Sequence, residues 1–372
     1  MRLLFFIHGL SGGGAERVLV NLCNELVTRG YEVSITMPEF MNVYTLDSRV
    51  NVSTFIGLHK TDSKNVIGKF INFLKNTVVI NRNVRLIIRE NKPDIIITFL
   101  GFFTSYILLH HNKIPIIASE HYSFNRKLQF YRVFRIRYLN KLFDYVTFLT
   151  KTDVYLAQRY YTHSVSIPNP LSFDPISNEK YEELFPKRAN ILAVGRLDAY
   201  KVKGFDNLIV AFSSIAKKHP DVFLDIAGEG SEQSINILKE ISESHGVGNK
   251  VRFLGYCNNI DELMKDHSIF VMSSRHEGFG MALVEAMALG CACVSFDLIG
   301  PGEIIIDGID GVMVENQNIE DLAMKIELLL DNSQLRYFLG LHAIEDIKRF
   351  NPNAITNKWE MVFNKVLEQR TK

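Results

Sequence analysis

Short apolar runs recur along the chain, each followed by a polar or glycine-rich turn. Residues 2–7 open the series as a strand, and the loop His8 to Arg17 leads into a helix ending near Gly30. Glu32–Met37 predicts the next strand, 66–91 a helix, and Pro93–Phe99 another buried strand. Lys113–His121 and Tyr145–Thr150 add two more strands. In the rear half, Asn190–Leu197, Val222–Gly230 and Lys250–Tyr256 each read as a strand running into a loop. Ile269-Phe-Val-Met272 reads as a strand buried on both faces of a parallel sheet. After it, glycines at 278 and 280 impose a tight loop. The pattern turns helical from about Met281, and Gly290 supplies a stop. Residues 351–372, with Trp359 and Phe363, form an amphipathic helix. The pattern is that of an α/β protein.

A chain of 372 residues suits two domains of ordinary size. Ser166–Leu171 closes the first, and the polar stretch 172–188, with Pro175 and Pro186, reads as a linker before the second. Apolar content of 47% and charged content of 22% are those of a globular protein. The net charge of +1 hides an asymmetry: residues 1–170 hold 21 Lys+Arg against 11 Asp+Glu, the remainder 21 against 30. The front half therefore suits an anionic partner. Cys23, Cys257, Cys291 and Cys293 have neither disulfide nor zinc spacing, which fits a reducing compartment. The amino end reads as a strand rather than a signal peptide. The strongest apolar run, Ile95–Leu109, is broken by Gly101 and falls short of the ~20 residues that a spanning helix needs. A cytoplasmic protein, soluble or peripheral on the inner face of the cell membrane, is expected.

Asn125–Phe143 carries six basic residues among apolar and aromatic ones and no acid. Its core, Arg126–Lys141, fits an anionic bilayer or a phosphate-bearing lipid head group. A solvated helix packed through its aromatics explains it equally well. No recognition motif accompanies it, so nucleic acid is set aside.

The chemistry concentrates at Ser273–Gly290. A strand, a glycine loop and a helix follow one another there, and the helix amino end offers unpaired N–H groups and partial positive charge to a phosphate. Glu277 and Glu285, with seven residues between them, suit sugar and ribose hydroxyls rather than the phosphates. The earlier loop with Gly13 and Gly14 lacks dinucleotide spacing, and a tight turn explains it as well as a ligand does. His121 and Glu120 sit at the carboxyl end of a predicted strand, where open α/β sheets bind ligands. No Asp-x-Asp pair stands where it could hold a metal, and no metal or cofactor is expected.

Glu277-Gly-Phe-Gly-Met-Ala-Leu-Val-Glu285-Ala-Met-Ala-Leu-Gly-Cys resembles the Glu-x7-Glu signature of the GT4-type retaining glycosyltransferases. Ser295–Ile305 and Asp307-Gly-Ile-Asp-Gly311 are similar to the segments just beyond that signature in the same group. The resemblance implies the GT-B fold, two facing Rossmann-like parallel-sheet domains with an interdomain cleft, the final helix returning to the first. It also implies that a hexose or N-acetylhexosamine passes from a nucleotide sugar, a UDP-sugar by group tendency, to a glycan hydroxyl. The acceptor expected is a growing oligosaccharide, carried on polyprenyl diphosphate in cell-surface polysaccharide assembly.

Arg196 and Lys203 then resemble the pair that holds the donor diphosphate. Lys203 lies seven residues beyond Arg196, whereas the group's usual spacing of five falls on Lys201. The Gly-Phe-Asp immediately after it favours Lys203. The resemblance further implies that Gly278, Phe279, Gly280, Met281 and Ala282 hold phosphate and sugar. Glu277 would bind donor-sugar hydroxyls, Glu285 the ribose, and His121 would orient the acceptor. Gly13, Gly14, Gly228 and Tyr256 would border the donor. Rival readings are a nucleotide-sugar epimerase or a phosphorylase on a similar scaffold, an inactive nucleotide-sugar sensor and, weakest, a dehydrogenase.

Overall fold

A computed structural model of the chain describes residues 1–11, 13–38, 43–55, 66–99, 104–108, 114–124, 138, 142–185 and 190–371. The basic segment Arg126–Lys141 lies almost wholly outside the described residues. Two compact units divide the chain: Met1–Ser172 with Pro352–Lys372, and Phe173–Asn351.

The first unit is built on seven parallel strands: β1 (Arg2–Phe6), β2 (Glu32–Met37), β3 (Asn51–Thr54), β4 (Ile95–Phe99), β5 (Ile116–Glu120), β6 (Tyr145–Phe148) and β7 (Ser164–Ser166). Their order is β3-β2-β1-β4-β5-β6-β7. Every residue of β4, β5 and β6 is buried, which is why each reads as a mainly apolar run, with Thr98, Ser119, Glu120 and Thr147 as buried polar exceptions. Two strands start later than the expected 93 and 113. Pro93 and Pro115 precede Ile95 and Ile116 and have no N–H for the ladder.

The helix Pro352–Thr371 belongs to this unit. Proline is pre-shaped for a first helical position. Trp359, 4% exposed, stacks on Phe99 with ring centres 6.2 Å apart. Arg29 donates to Glu360 at 2.8 Å and to the Asn353 carbonyl at 3.0 Å, and Arg370 grips Asp144 at 2.8 and 2.9 Å.

The second unit has six parallel strands: β8 (Ile191–Val194), β9 (Leu224–Ala227), β10 (Val251–Gly255), β11 (Ile269–Met272), β12 (Ala292–Phe296) and β13 (Val312–Val314). Their order is β10-β9-β8-β11-β12-β13. From β8 the chain proceeds to one side, and from β11 to the other. The carboxyl ends of β8 and β11 therefore flank the topological switch point, where sheets of this kind leave a crevice.

The polar composition of residues 172–188 predicts a linker. Most of them belong to the second unit, and Asn178–Leu184 is helical, with Ser177 accepting from the Lys180 N–H at 3.2 Å. Tyr181, 1% exposed, stacks on Tyr337 at 5.5 Å. It fits only because residues 290 and 340 are glycines, where a Cβ would come within 2.5 and 2.2 Å of it. Phe185 packs edge-on against the same Tyr337 at 5.1 Å, so a polar composition hid a segment held by two aromatic residues.

Candidate active site

The loops after β8 and β11 carry the candidate site. Past β8, Gly195 and Arg196 lead through a short turn into a one-turn helix, Tyr200–Lys203, which ends at Gly204 with φ +69°. Arg196 is exposed beside Asp198. Gly195 lies against the Lys203 stem, where a Cβ would meet Lys203 Cδ and Cε at 3.3 Å.

Past β11, Gly280 takes φ +116°, and the helix Met281–Ala288 comes next. The first bond into that helix runs from the Val284 N–H to the Gly280 carbonyl, at 3.1 Å. The N–H groups of Met281 and Ala282 thus precede any intrahelical partner, and no acid stands in the first turn. Phe279 anchors the loop edge-on to Phe350, ring centres 5.4 Å apart. Gly300 lies against the Phe279 carbonyl, 2.6 Å from where its Cβ would stand. Glu285 is 3% exposed, on the buried side of the helix.

Lys203 Nζ lies 2.8 Å from Glu277 Oε2, the two side chains 28% and 16% exposed. This ion pair joins the two loops at the switch point. Lys201 stays exposed, its Nζ 6.0 Å from the centre of the Tyr200 ring. Beside the site, Gly228 (φ +151°) donates its N–H to the Gly255 carbonyl at 2.8 Å, and its Cα faces the Gly195 carbonyl. Tyr256 is 71% exposed.

In the first unit, the Gly13 N–H donates to Glu16 at 3.1 Å and its carbonyl accepts from Tyr44 at 2.9 Å, so a tight helix start accounts for Gly13 and Gly14 there. His121 is 9% exposed, lies on the Phe99 ring (4.6 Å between centres) and shares a hydrogen bond of 3.1 Å with Ser119. Burial pushes its pKa down to about 3, so the imidazole is neutral. Its Nδ1 has no hydrogen-bond partner among the described residues.

The family models agree with this architecture. Residues 12–171 match glycosyltransferase family 4, and residues 176–345 match glycosyl transferases group 1. The chain is 30% identical over 345 residues to an uncharacterized glycosyltransferase of Haemophilus influenzae, covering 89% of this chain and 91% of that one. The chain belongs to this glycosyltransferase family. The enzyme is also 29% identical, over 96% of its length and 97% of the relative's, to an alpha-1,4-N-acetyl-D-galactosaminyltransferase of Campylobacter jejuni. That relative's name gives it a diNAcBac-PP-undecaprenol-linked GalNAc disaccharide as substrate. Among solved structures, an Anabaena protein crystallised with UDP and glucose superposes with TM-score 0.73 at 17% identity, covering 98% of this chain and 100% of that one. The family and the two parallel-sheet α/β units agree with the expectation raised by residues 277–311.

The sequence left Ser273, Arg275 and Gly204 of the glycosyltransferase without roles. The Lys203 carbonyl accepts from Ser273 Oγ at 3.0 Å, and the Val202 carbonyl from the Arg275 N–H at 2.8 Å. The Arg275 guanidinium holds the Lys201 carbonyl at 2.6 Å, Asp206 at 2.6 and 3.0 Å, and Asn207 at 2.6 Å. One signal was present: Arg275 and Asp206 are opposite charges, each close to a residue expected in the site.

Asp310, in the Asp307–Gly311 turn, is fully buried. One carboxyl oxygen accepts from the Ile306 N–H at 2.6 Å, and the other has no donor among the described residues. Burial, reinforced by the Asp346 carboxylate, pushes its pKa up to about 7. The folded state therefore keeps a proton that the unfolded chain loses near pH 4, and stability falls as pH rises between the two values. Asp310→Asn should raise stability by up to about 4 kcal/mol at pH 8, the free energy of a shift of that size, and by nearly nothing at pH 4, measured by denaturant unfolding at both.

Proposed function

We propose that this glycosyltransferase moves a hexose or N-acetylhexosamine from a UDP-sugar to a hydroxyl of a growing glycan. Transfer proceeds with retention of configuration and without a metal. The acceptor sits on a polyprenyl diphosphate in bacterial cell-surface polysaccharide assembly, as the Campylobacter relative's name suggests for that protein. Among the described residues no helix is long and apolar enough to cross a membrane, and Arg126–Lys141 would make a peripheral contact from the cytoplasmic side.

The pairing of Lys203 with Glu277 at 2.8 Å, at the switch point of the second sheet, carries this reading. A lysine ammonium beside a carboxylate supports a reading in which the one takes the diphosphate and the other the sugar hydroxyls. Arg196 and Lys203 take the diphosphate, helped by the N–H groups from Phe279 to Ala282. Glu277 takes the donor-sugar hydroxyls, Glu285 the ribose, Gly228 borders the donor pocket, and Tyr256 lies near the base. His121, held neutral by its burial, orients the acceptor by hydrogen bonding. The acceptor oxygen bonds to the anomeric carbon as the bond to the leaving phosphate breaks. The proton passes to that phosphate on the same face. Two cations and a helix amino end stabilise the departing charge.

The test is a screen of pure protein against UDP-, GDP- and ADP-sugars, reading thermal stabilisation and nucleotide release. UDP-sugars should raise Tm and be slowly hydrolysed. Stabilisation without turnover would mean a sensor, and silence with all three would end the proposal.

A further inference from the structure

We infer that Arg275 is a positioning residue that selects Lys203, rather than Lys201, as the cation of the site; this rests on the role proposed for Lys203. The helix Tyr200–Lys203 is a single turn, so its own hydrogen bonds do not hold it. Its last three carbonyls, those of Lys201, Val202 and Lys203, would otherwise be unpaired. All three are taken by the segment after β11: by the Arg275 guanidinium at 2.6 Å, the Arg275 N–H at 2.8 Å and Ser273 Oγ at 3.0 Å.

The same guanidinium grips Asp206 through two nitrogens and Asn207 through one, at the start of the helix Phe205–Lys218. One side chain thus fixes the residues on both sides of Gly204, and with them the rotation of the turn that carries both lysines. In that rotation Lys203 reaches Glu277 and Lys201 points outward. Arginine suits the task because its planar fork serves several acceptors at once, which a lysine ammonium on one stem does not.

The experiment compares wild type with Arg275→Ala, Arg275→Lys and Asp206→Asn. It uses brief lysine acylation read by mass spectrometry alongside donor kinetics. In the wild type Lys203 should be acylated more slowly than Lys201, and in Arg275→Ala the difference should vanish. With the nucleotide sugar the wild type turns over, Arg275→Ala should lower kcat/KM on the order of 10- to 100-fold. Arg275→Lys should recover only part of that. Asp206→Asn gives a milder lesion of the same kind if Arg275→Ala does not fold. A folded Arg275→Ala with Lys203 still protected and kcat/KM unchanged would overturn the inference. If no nucleotide sugar is turned over, the functional reading fails and the acylation pattern still judges the clamp.

Discussion

Glu277→Ala is expected to lower kcat/KM for sugar transfer on the order of 10²- to 10³-fold while leaving the fold intact. Both halves follow from where Glu277 sits. Its partner Lys203 is 28% exposed, so water can solvate the ammonium once the carboxylate is gone. Partly exposed ion pairs contribute about 1 kcal/mol or less to stability, so Tm should barely move. In the proposed reaction Glu277 grips the sugar whose anomeric bond breaks, and an alanine leaves that sugar free to rotate. Lys203→Ala should cost a similar factor. The double variant should lose less than the product of the two, because the residues contact each other and share one substrate. Transfer rates measured on the four proteins, with circular dichroism as the folding check, decide the matter. Normal turnover by Glu277→Ala would show that the site had been placed wrongly.

How far the chain can be read without its structure depends on whether each feature is local. Strands buried on both faces are mainly apolar, so Ile95–Phe99 (with one threonine) and Ile269–Met272 are visible as runs. Their first residues are less so, since the prolines at 93 and 115 shift the start of pairing. The glycine loop and its helix are legible because Gly280 and Gly290 hold positive φ, which side-chain-bearing residues avoid. Tyr181 is not legible, because its partners Gly290 and Gly340 lie more than a hundred residues away and composition says nothing of them. The choice between Lys201 and Lys203 is of the same kind. Spacing from Arg196 points to one, and the Gly-Phe-Asp after Lys203 to the other. What turns Lys203 toward Glu277 is a set of contacts from residues 273 and 275 that no local pattern announces.

Gly204→Ala should do severe structural damage at the site, and Gly246→Ala is its internal control. Both glycines are left-handed, with φ of +69° and +73°. An alanine pays about 1 kcal/mol for that conformation wherever it occurs. At Gly246 nothing lies within 4 Å of the added Cβ, so that term stands alone. At Gly204 the Cβ would fall 1.8 Å from the Ser273 carbonyl oxygen and 2.7 Å from its carbon. Both are backbone atoms at the carboxyl end of a buried strand and cannot swing aside. Relief requires the loops after β8 and β11 to part, and that breaks the hydrogen bonds from Ser273 and Arg275 and draws Lys203 away from Glu277. A cost of about 4 kcal/mol or more is therefore expected at Gly204 against about 1 at Gly246, measured by denaturant unfolding. Activity should be lost at Gly204 and kept at Gly246. Equal costs at the two positions would mean that conformational strain alone governs Gly204 and that the loops do not interlock there.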